Sequence, residues 1–378
     1  MCSALLVGSL LSCAERLAPG ELSIVATSTY TSRKPIQLPC FDRTDSMDLP
    51  RTKSIDLTLG DFRLLPPKAG NCPAERLALE GCHFDAAALL PRCPRLRVLQ
   101  VGPNAKLASD SSRTIHYLPL LEELVLEDCI DGLRFHIVAP MLNHLSLFTH
   151  IKDASVSAEN LEKLSLDCSR NLYNIELGNM GGLREVMLWI FRYRHRLLIH
   201  KGVRTLMQQL PHLRLLSVNI SLQRMTAFKG LIDENAFVGL QKLPKTSMLM
   251  LQLSTFGHRY RKTVLLLLKM FEGIEELIML IDSPKSQEVS APGFHCSNEV
   301  WTSEDLSLPL LKKVEFKGFT GSKSAVYVLK LLLTSAKVLE QMTVTLCNKD
   351  STGYEGRKQQ LFNIFNSYPT VKCQVLHA

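Results

Sequence analysis

The sequence predicts an α/β fold: a leucine-rich-repeat solenoid, in which a curved parallel sheet carries helices or loops on its convex side and ends in a small α/β cap. Three observations predict it. The frame L-x-x-L-x-L recurs along most of the 378 residues. Its copies lie about 22 residues apart through the first half. A content of 46% apolar and 21% charged residues is the balance of a folded chain with a large core. Such a length would otherwise imply two or three compact domains, but a repeating chain can absorb it in one array.

The clearest copy is residues 118–129, LPLLEELVLEDC, with leucines at 121, 124 and 126 and a cysteine at 129. The frame returns at Leu96/Leu99/Val101, Leu142/Leu145/Leu147, Leu161/Leu164/Leu166, Leu183/Val186/Leu188, Leu213/Leu216/Val218 and Leu311/Val314/Phe316. Weaker copies start at Thr52, Ala74, Met248, Ile274 and Leu339. Within each copy, x-x-L-x-L spells a short strand whose alternate leucines point inward, because successive side chains of a strand face opposite sides. A single copy would leave that apolar face in water, so neighbours stack to bury it. The position held by Cys82, Asn104 and Cys129 falls after the strand, where a side chain can bond the loop backbone; these cysteines read as structural.

Along the chain, residues 4–14 read as an ordinary buried helix, since the first basic residue is Arg16 and no positively charged leader precedes the apolar run. Residues 221–245 and 282–309 break the rhythm. The second break is rich in Ser, Pro and Glu and reads as a loop. After it come a strand over 308–316, a turn over 317–324, a helical run over 325–333 and a strand over 339–346. The resulting organisation is a cap at 1–50, repeats at 51–281, a loop or linker at 282–307 and terminal repeats at 308–378.

Composition excludes several classes. Eleven cysteines form no C-x-x-C pair, which argues against zinc and against a disulfide framework and suits a reducing cytoplasmic or nuclear compartment. The densest later apolar run, 264–268, is stopped by Lys269, so no membrane span is expected. The net charge of +8 spreads over 44 bases and 36 acids, which argues against nucleic acid as the main partner. No H-E-x-x-H, G-x-S-x-G or Walker loop is present; the nearest phosphate-like string, GFTGSKS at 318–324, reads as a turn with Ser322 or Ser324 capping a helix. Adjacent carboxylates such as Glu122/Glu123 and Glu275/Glu276 point to opposite faces and cannot share a proton. The expectation is a chain with no catalysis, no metal and no cofactor, which works by binding a protein.

The binding face is set by the same alternation. With Leu188 inward, Met187, Trp189 and Phe191 face the concave side, flanked by Arg192, Arg194 and Arg196 in the string MLWIFRYRHR. Aromatic anchors beside arginines are the composition of an interface hot spot. The frame aims Glu123, His144, Phe148, Lys163, Asp167, Asn219 and Gln252 at the same face, with Phe148 and Trp189 the strongest candidates. The other reading makes the basic-aromatic patch a site for a phosphorylated or nucleic-acid ligand on a stand-alone scaffold. A second basic string, HRYRK at 258–262, reads as a solvated helix entry.

The chain resembles plant F-box/leucine-rich-repeat proteins of the FBD type, in particular the large family of grasses. The resemblance rests on LPCFDR at 38–43, LLPRCPRLRVL at 89–99, LPLLEEL at 118–124 and, for the FBD module, LPLLKKVEFKGF at 308–319 with VLKLLL at 328–333 and LEQM at 339–342. It implies a receptor in which an F-box docks on the Skp-type adaptor of a cullin ubiquitin ligase while the repeats hold the substrate. No F-box string occurs in this chain, and residues 10–22 resemble the helix and strand that follow one in relatives.

Overall fold

The computed structural model describes residues 4–17, 19–26, 35–38, 52–68, 70–108, 115–129, 133–193, 196–197, 201–210, 213–222, 245–255, 260–271, 273–282, 306–346 and 353–377. The architecture is α/β with parallel sheets. Contacts divide the chain into two compact units, Met1–Leu183 with His200–Leu206, and Arg184–Ile199 with Met207–Ala378.

In the first unit the leucine frames become a parallel front sheet. Its strands are β1 (Glu21–Ala26), β3 (Ser54–Leu59), β5 (Arg76–Glu80), β7 (Val98–Val101), β10 (Glu123–Glu127), β12 (His144–Phe148) and β14 (Lys163–Asp167), in that order. The register puts frame on frame: Leu77 on Leu99, Leu99 on Leu124, Leu124 on Leu145 and Leu145 on Leu164, all at most 3% exposed. Burying one such side chain contributes roughly 1.5–3 kcal/mol, so the stack is the main source of stability.

The returns of this unit correct the expectation of helices or loops. They are strands: β2 (Pro35–Gln37), β4 (Arg63–Leu65), β6 (His83–Asp85) and β8 (Lys106–Ala108) form one parallel sheet, and β9 (Ile115–Tyr117), β11 (Leu133–Val138), β13 (Ile151–Ser157) and β15 (Leu172–Leu177) another. The reason lies in the period of the returns. Leu133, Phe135 and Ile137 are buried while Arg134 is exposed, a spacing of two that suits a strand and no helix. Among the described residues, helical turns here are confined to α2 (Ala86–Leu89), the 3-10 turn Leu90–Arg92, α3 (Lys201–Met207, whose last residue belongs to the second unit) and α1 (Ala4–Leu17). The N-terminal helix is not simply buried, as its sequence implied. Val7, Leu11 and Ala14 face inward, whereas Leu5, Leu6, Leu10 and Leu17 are exposed.

A turn introduces each front strand. The amides of Leu96, Leu121 and Leu142 donate to the carbonyls of Cys93, Leu118 and Ala139, with Pro94, Pro119 and Pro140 at the second turn position, where a fixed φ near −65° is already correct. Each turn leads to a corner where two successive amides share one carbonyl of the preceding coil. Glu122 and Glu123 donate to Arg97, and Asn143 and His144 to Glu122, at 2.7 to 3.1 Å.

In the second unit the front sheet runs β16 (Glu185–Tyr193), β18 (Leu213–Leu222), β19 (Thr246–Thr255), β20 (Glu276–Asp282), β21 (Lys313–Phe319), β22 (Gln341–Leu346) and β23 (Lys372–His377), with the short β17 (Arg196–Leu197) antiparallel to β16. Helices α4 (Tyr260–Lys269), α5 (Lys323–Ser335) and α6 (Tyr354–Phe365) supply returns. Ala325, Val328, Leu329 and Leu332 give α5 an inward stripe at helical spacing, and Ser322 caps it by accepting from the Ala325 amide at 3.2 Å. The second basic string is less solvated than its sequence suggested. Arg261 donates to the Ser324 hydroxyl at 3.0 Å and lies 5.0 Å from the centre of the Tyr327 ring.

One strand contains an irregularity with a clear purpose. Phe316 and Phe319 are an odd number of positions apart, so a regular strand would send them to opposite faces. The register shifts between Lys317 and Phe319, Gly318 takes φ +81°, and both rings turn inward, fully buried and edge to face at 5.8 Å. A side chain at 318 would be strained by that φ and would collide with the Ile281 carbonyl oxygen.

Two stability outcomes follow. Leu145→Ala, in a site with no solvent exposure, should cost about 2–5 kcal/mol in urea unfolding, whereas Leu120→Ala, at a half-exposed turn position, should stay within about 0.5 kcal/mol. Gly318→Ala should cost about 2 kcal/mol or more although it adds one methyl, because φ strain and backbone overlap coincide.

Candidate binding surface

The front face of each sheet is the side opposite the buried frame. In the first unit the register aligns three of the sequence candidates in one lateral row, Glu123 on His144 and His144 on Lys163. His144 Nδ1 lies 3.9 Å from Glu123 Oε1, and its Nε2 lies 3.1 Å from the Ser146 hydroxyl. Phe148 pairs in register with Glu127 and is half-buried. Ser146 and Ser165, which no motif singled out, are also on this face and buried.

Asp167 corrects the sequence reading. It is 2% exposed and does not present its carboxylate to a ligand. One oxygen accepts the Ser169 amide at 2.9 Å and the Ser169 hydroxyl at 2.6 Å, while the other accepts Arg170 Nε at 2.9 Å. The guanidinium of Arg170 also reaches Asp128. The side chain is therefore consumed in closing the turn after β14, a use of Asp that needs only local hydrogen bonds.

The second unit carries a different face. One row reads Met187, Ser217, Met250, Ile278, Glu315, Thr343; the next reads Trp189, Asn219, Gln252, Leu280, Lys317, Thr345. Met187, Met250, Ile278, Leu280 and Trp189 are half-exposed, although the frame of each strand already supplies a buried core on the other side. Toward β21 the rows become charged and self-paired. Lys313 meets Glu276 at 3.0 Å and Lys317 meets Glu315 at 3.2 Å. Asn219 is a second correction, for it is 4% exposed, between the longer side chains of Trp189 and Gln252. Its Oδ1 and the nearby Ser217 Oγ are buried without a hydrogen-bond partner among the described residues. Such oxygens cost free energy until something donates to them.

Phe191 and Arg192 continue β16, and Arg196 lies in β17, where Tyr193 pairs with it. Their side chains, and Arg194 altogether, lie outside the described residues. Phe148 and Trp189 belong to different units. The apolar residues Leu215, Met250, Ile278 and Leu280 were missed by motif, yet the same alternation that selected Met187 would have found them; Met248, expected to start a repeat copy, joins them on this face because that copy starts at Thr246.

The carboxylates beside each other in sequence behave as expected. Glu122 is paired with Arg97, and Glu275 and Glu276 hold Lys312 and Lys313 separately. The thiols of Cys82 and Cys129 are pushed up by burial, to about 12 and about 11, and that of Cys168 also goes up. A neutral, buried thiol is a poor nucleophile. Cys129 Sγ instead lies 3.7 Å from the Val101 carbonyl oxygen and 3.6 Å from that of Glu127, so it bonds backbone as expected, at the ends of β7 and β10 and not in a loop. Asn104 does not share that role. It adopts φ +60° with its side chain exposed, and Ala105 fills the buried slot, because a left-handed residue is needed to turn the coil there.

Among the described residues no three His, Cys, Asp or Glu side chains are grouped to hold a metal ion, and no helix is long and apolar enough to cross a membrane. No family model, no curated protein and no solved structure matches the chain.

Raised thiol values bear on alkaline stability. Each buried thiol holds its proton more tightly folded than unfolded, so its contribution is intact below about pH 9 and is lost as pH rises towards 11 to 12. Unfolding free energy should fall by up to about 1.4 kcal/mol per pH unit per thiol above pH 9. The drop between pH 8 and pH 10.5 should be visibly smaller in Cys82→Ala than in the parent chain.

Proposed function

We propose that this chain is a leucine-rich-repeat protein-binding module without catalytic activity, and that its partner docks on the front face of the second unit. The observation that carries the reading is the half-exposed row of Met187, Met250, Ile278 and Leu280 beside Trp189, on the side of the sheet that the core does not use. Methionine is the adaptable apolar side chain, and a large aromatic beside it supplies an anchor. Partner N–H groups that reached Ser217 Oγ and Asn219 Oδ1 would relieve two buried oxygens at once.

The leucine-rich and FBD-like strings support placement with F-box/leucine-rich-repeat receptors, as the substrate-holding part of an SCF-type ubiquitin ligase. In that reading residues 1–50 are the cap that follows an F-box, 51–281 the repeats, 282–307 the linker and 308–378 the FBD-like end. The order of strand Lys313–Phe319, helix Lys323–Ser335 and strand Gln341–Leu346, the order read from the sequence for this end, supports that reading. The working compartment is the cytoplasm or nucleus, and the partner is a protein.

The test is a proximity-labelling survey followed by affinity measurement with the purified partner. Trp189→Ala should weaken binding by about 30-fold, and Met250→Glu by at least as much. Lys330→Ala, on the exposed side of α5, should leave it unchanged. Equal affinity for all three would remove the front face as the docking site. Binding of a purified Skp-type adaptor by this chain would place adaptor contacts outside an F-box.

A further inference from the structure

Two buried thiols away from the front face lie where the backbones of successive coils are hydrogen-bonded. Cys72 lies in the connection leading into β5, and Cys93 closes the 3-10 turn Leu90–Arg92 one coil later. The Cys72 amide donates to the Arg92 carbonyl at 2.6 Å, and Arg92 Nη1 donates to the Gly70 carbonyl at 3.3 Å. That double tie holds the backbone beside Cys93 against the backbone at Cys72. Both side chains are withdrawn from solvent, at 0% and 1% exposure, and the Cys93 thiol donates to the Leu89 carbonyl oxygen at 3.6 Å. Neighbouring backbones at hydrogen-bonding distance are separated by about 5 Å, within the span that a disulfide bridges. Among the described residues, the remaining thiols are not paired in this way; Cys13, for example, is exposed.

We propose that Cys72 and Cys93 form a redox pair that staples the connection before β5 to the turn Leu90–Arg92. The two are free thiols in this structure, the state that a reducing compartment maintains. The oxidant is a low-molecular-weight disulfide. The Cys72 thiolate attacks one of its sulfurs and expels a thiolate, forming a mixed disulfide. The Cys93 thiolate then attacks Cys72 Sγ, forming the Cys72–Cys93 bond and expelling the second small thiolate. The two cysteines lose two electrons, the small disulfide gains them, and the two cysteine protons end on the two small thiols. Cys72 is the better first nucleophile, since the Cys93 thiol keeps its proton in the hydrogen bond to the Leu89 carbonyl oxygen. Burial makes the first attack wait for a local opening of the connection, so the pair responds to sustained oxidation and not to brief exposure.

The experiment uses the full chain, incubated under native conditions with oxidised glutathione, then blocked with N-ethylmaleimide and digested with trypsin. The expected product is the peptide 69–76 joined to the peptide 93–95, two hydrogens lighter than the pair of reduced peptides. It should form while Cys13 takes up glutathione, which shows that the oxidant is active. Closing a loop of about 20 residues should raise the Tm of the oxidised chain by roughly 5 °C or more, reversed by dithiothreitol. Neither the joined peptide nor the Tm rise should occur in Cys93→Ala, and the mass measurement on the parent chain does not depend on that variant folding. Glutathione on Cys13 without the joined peptide would overturn the pairing. A joined peptide with an unchanged or lowered Tm would overturn the staple.

Discussion

At the corners of most coils, two consecutive amides converge on one carbonyl of the coil before. Glu122 and Glu123 use the two lone pairs of Arg97 O, Lys312 and Lys313 those of Glu275 O, and Glu340 and Gln341 those of Lys312 O. This shared acceptor fixes where the following strand begins. Because strand side chains alternate, a slip of one residue would turn the whole inward set outward. The corner therefore protects the alignment of Leu99, Leu124, Leu145 and Leu164, on which the first unit's stability rests. Exposed ion pairs such as Arg97 with Glu122 decorate the same corner and contribute little by comparison.

Much of this is legible in the chain. Leu121, Leu124 and Leu126 by themselves specify strand, face and neighbour, since a period of two and a repeat of about 22 residues jointly leave few alternatives. The returns are harder to read. The run LRFHIV at 133–138 alternates as a strand does, but it is only six residues long, and the expectation of a helical return outweighs it. The turn that precedes each frame is also encoded, as a proline two positions ahead of Leu96, Leu121, Leu142 and Leu311. On the surface, alternation correctly puts Glu123, His144 and Lys163 in one row. It fails for Asp167, whose local partners Ser169 and Arg170 lie beyond the strand, and for Asn219, whose burial depends on what stands at 189 and 252. Periodicity reports direction and is silent on the height of the neighbours.

The two front faces differ in chemistry on a common backbone plan. Glu123, His144, Ser146 and Lys163 make the first unit's face polar and internally bonded, so little free energy is available there for an apolar partner. Across Met187, Met250, Ile278 and Leu280 the second unit offers apolar surface whose removal from water would favour association by roughly 25 cal/mol per Å² before the costs of binding. Charges close that area on the side of β21, where Lys313 and Lys317 are already satisfied by Glu276 and Glu315.

Each front strand pairs with the next front strand of its unit, and this has a consequence for how such a chain can change. Extra residues placed in a return do not displace any strand; they only lengthen a loop whose ends are already held. Loop closure grows as the logarithm of length, about 0.6 kcal/mol for each doubling. The intervals from Leu222 to Thr246 and from Asp282 to Lys313 are long, yet Leu216 still sits on Leu249 and Leu277 on Val314. A lineage built on this plan can enlarge its returns almost freely, and concentrate its sequence variation there, while the buried ladder stays where it was.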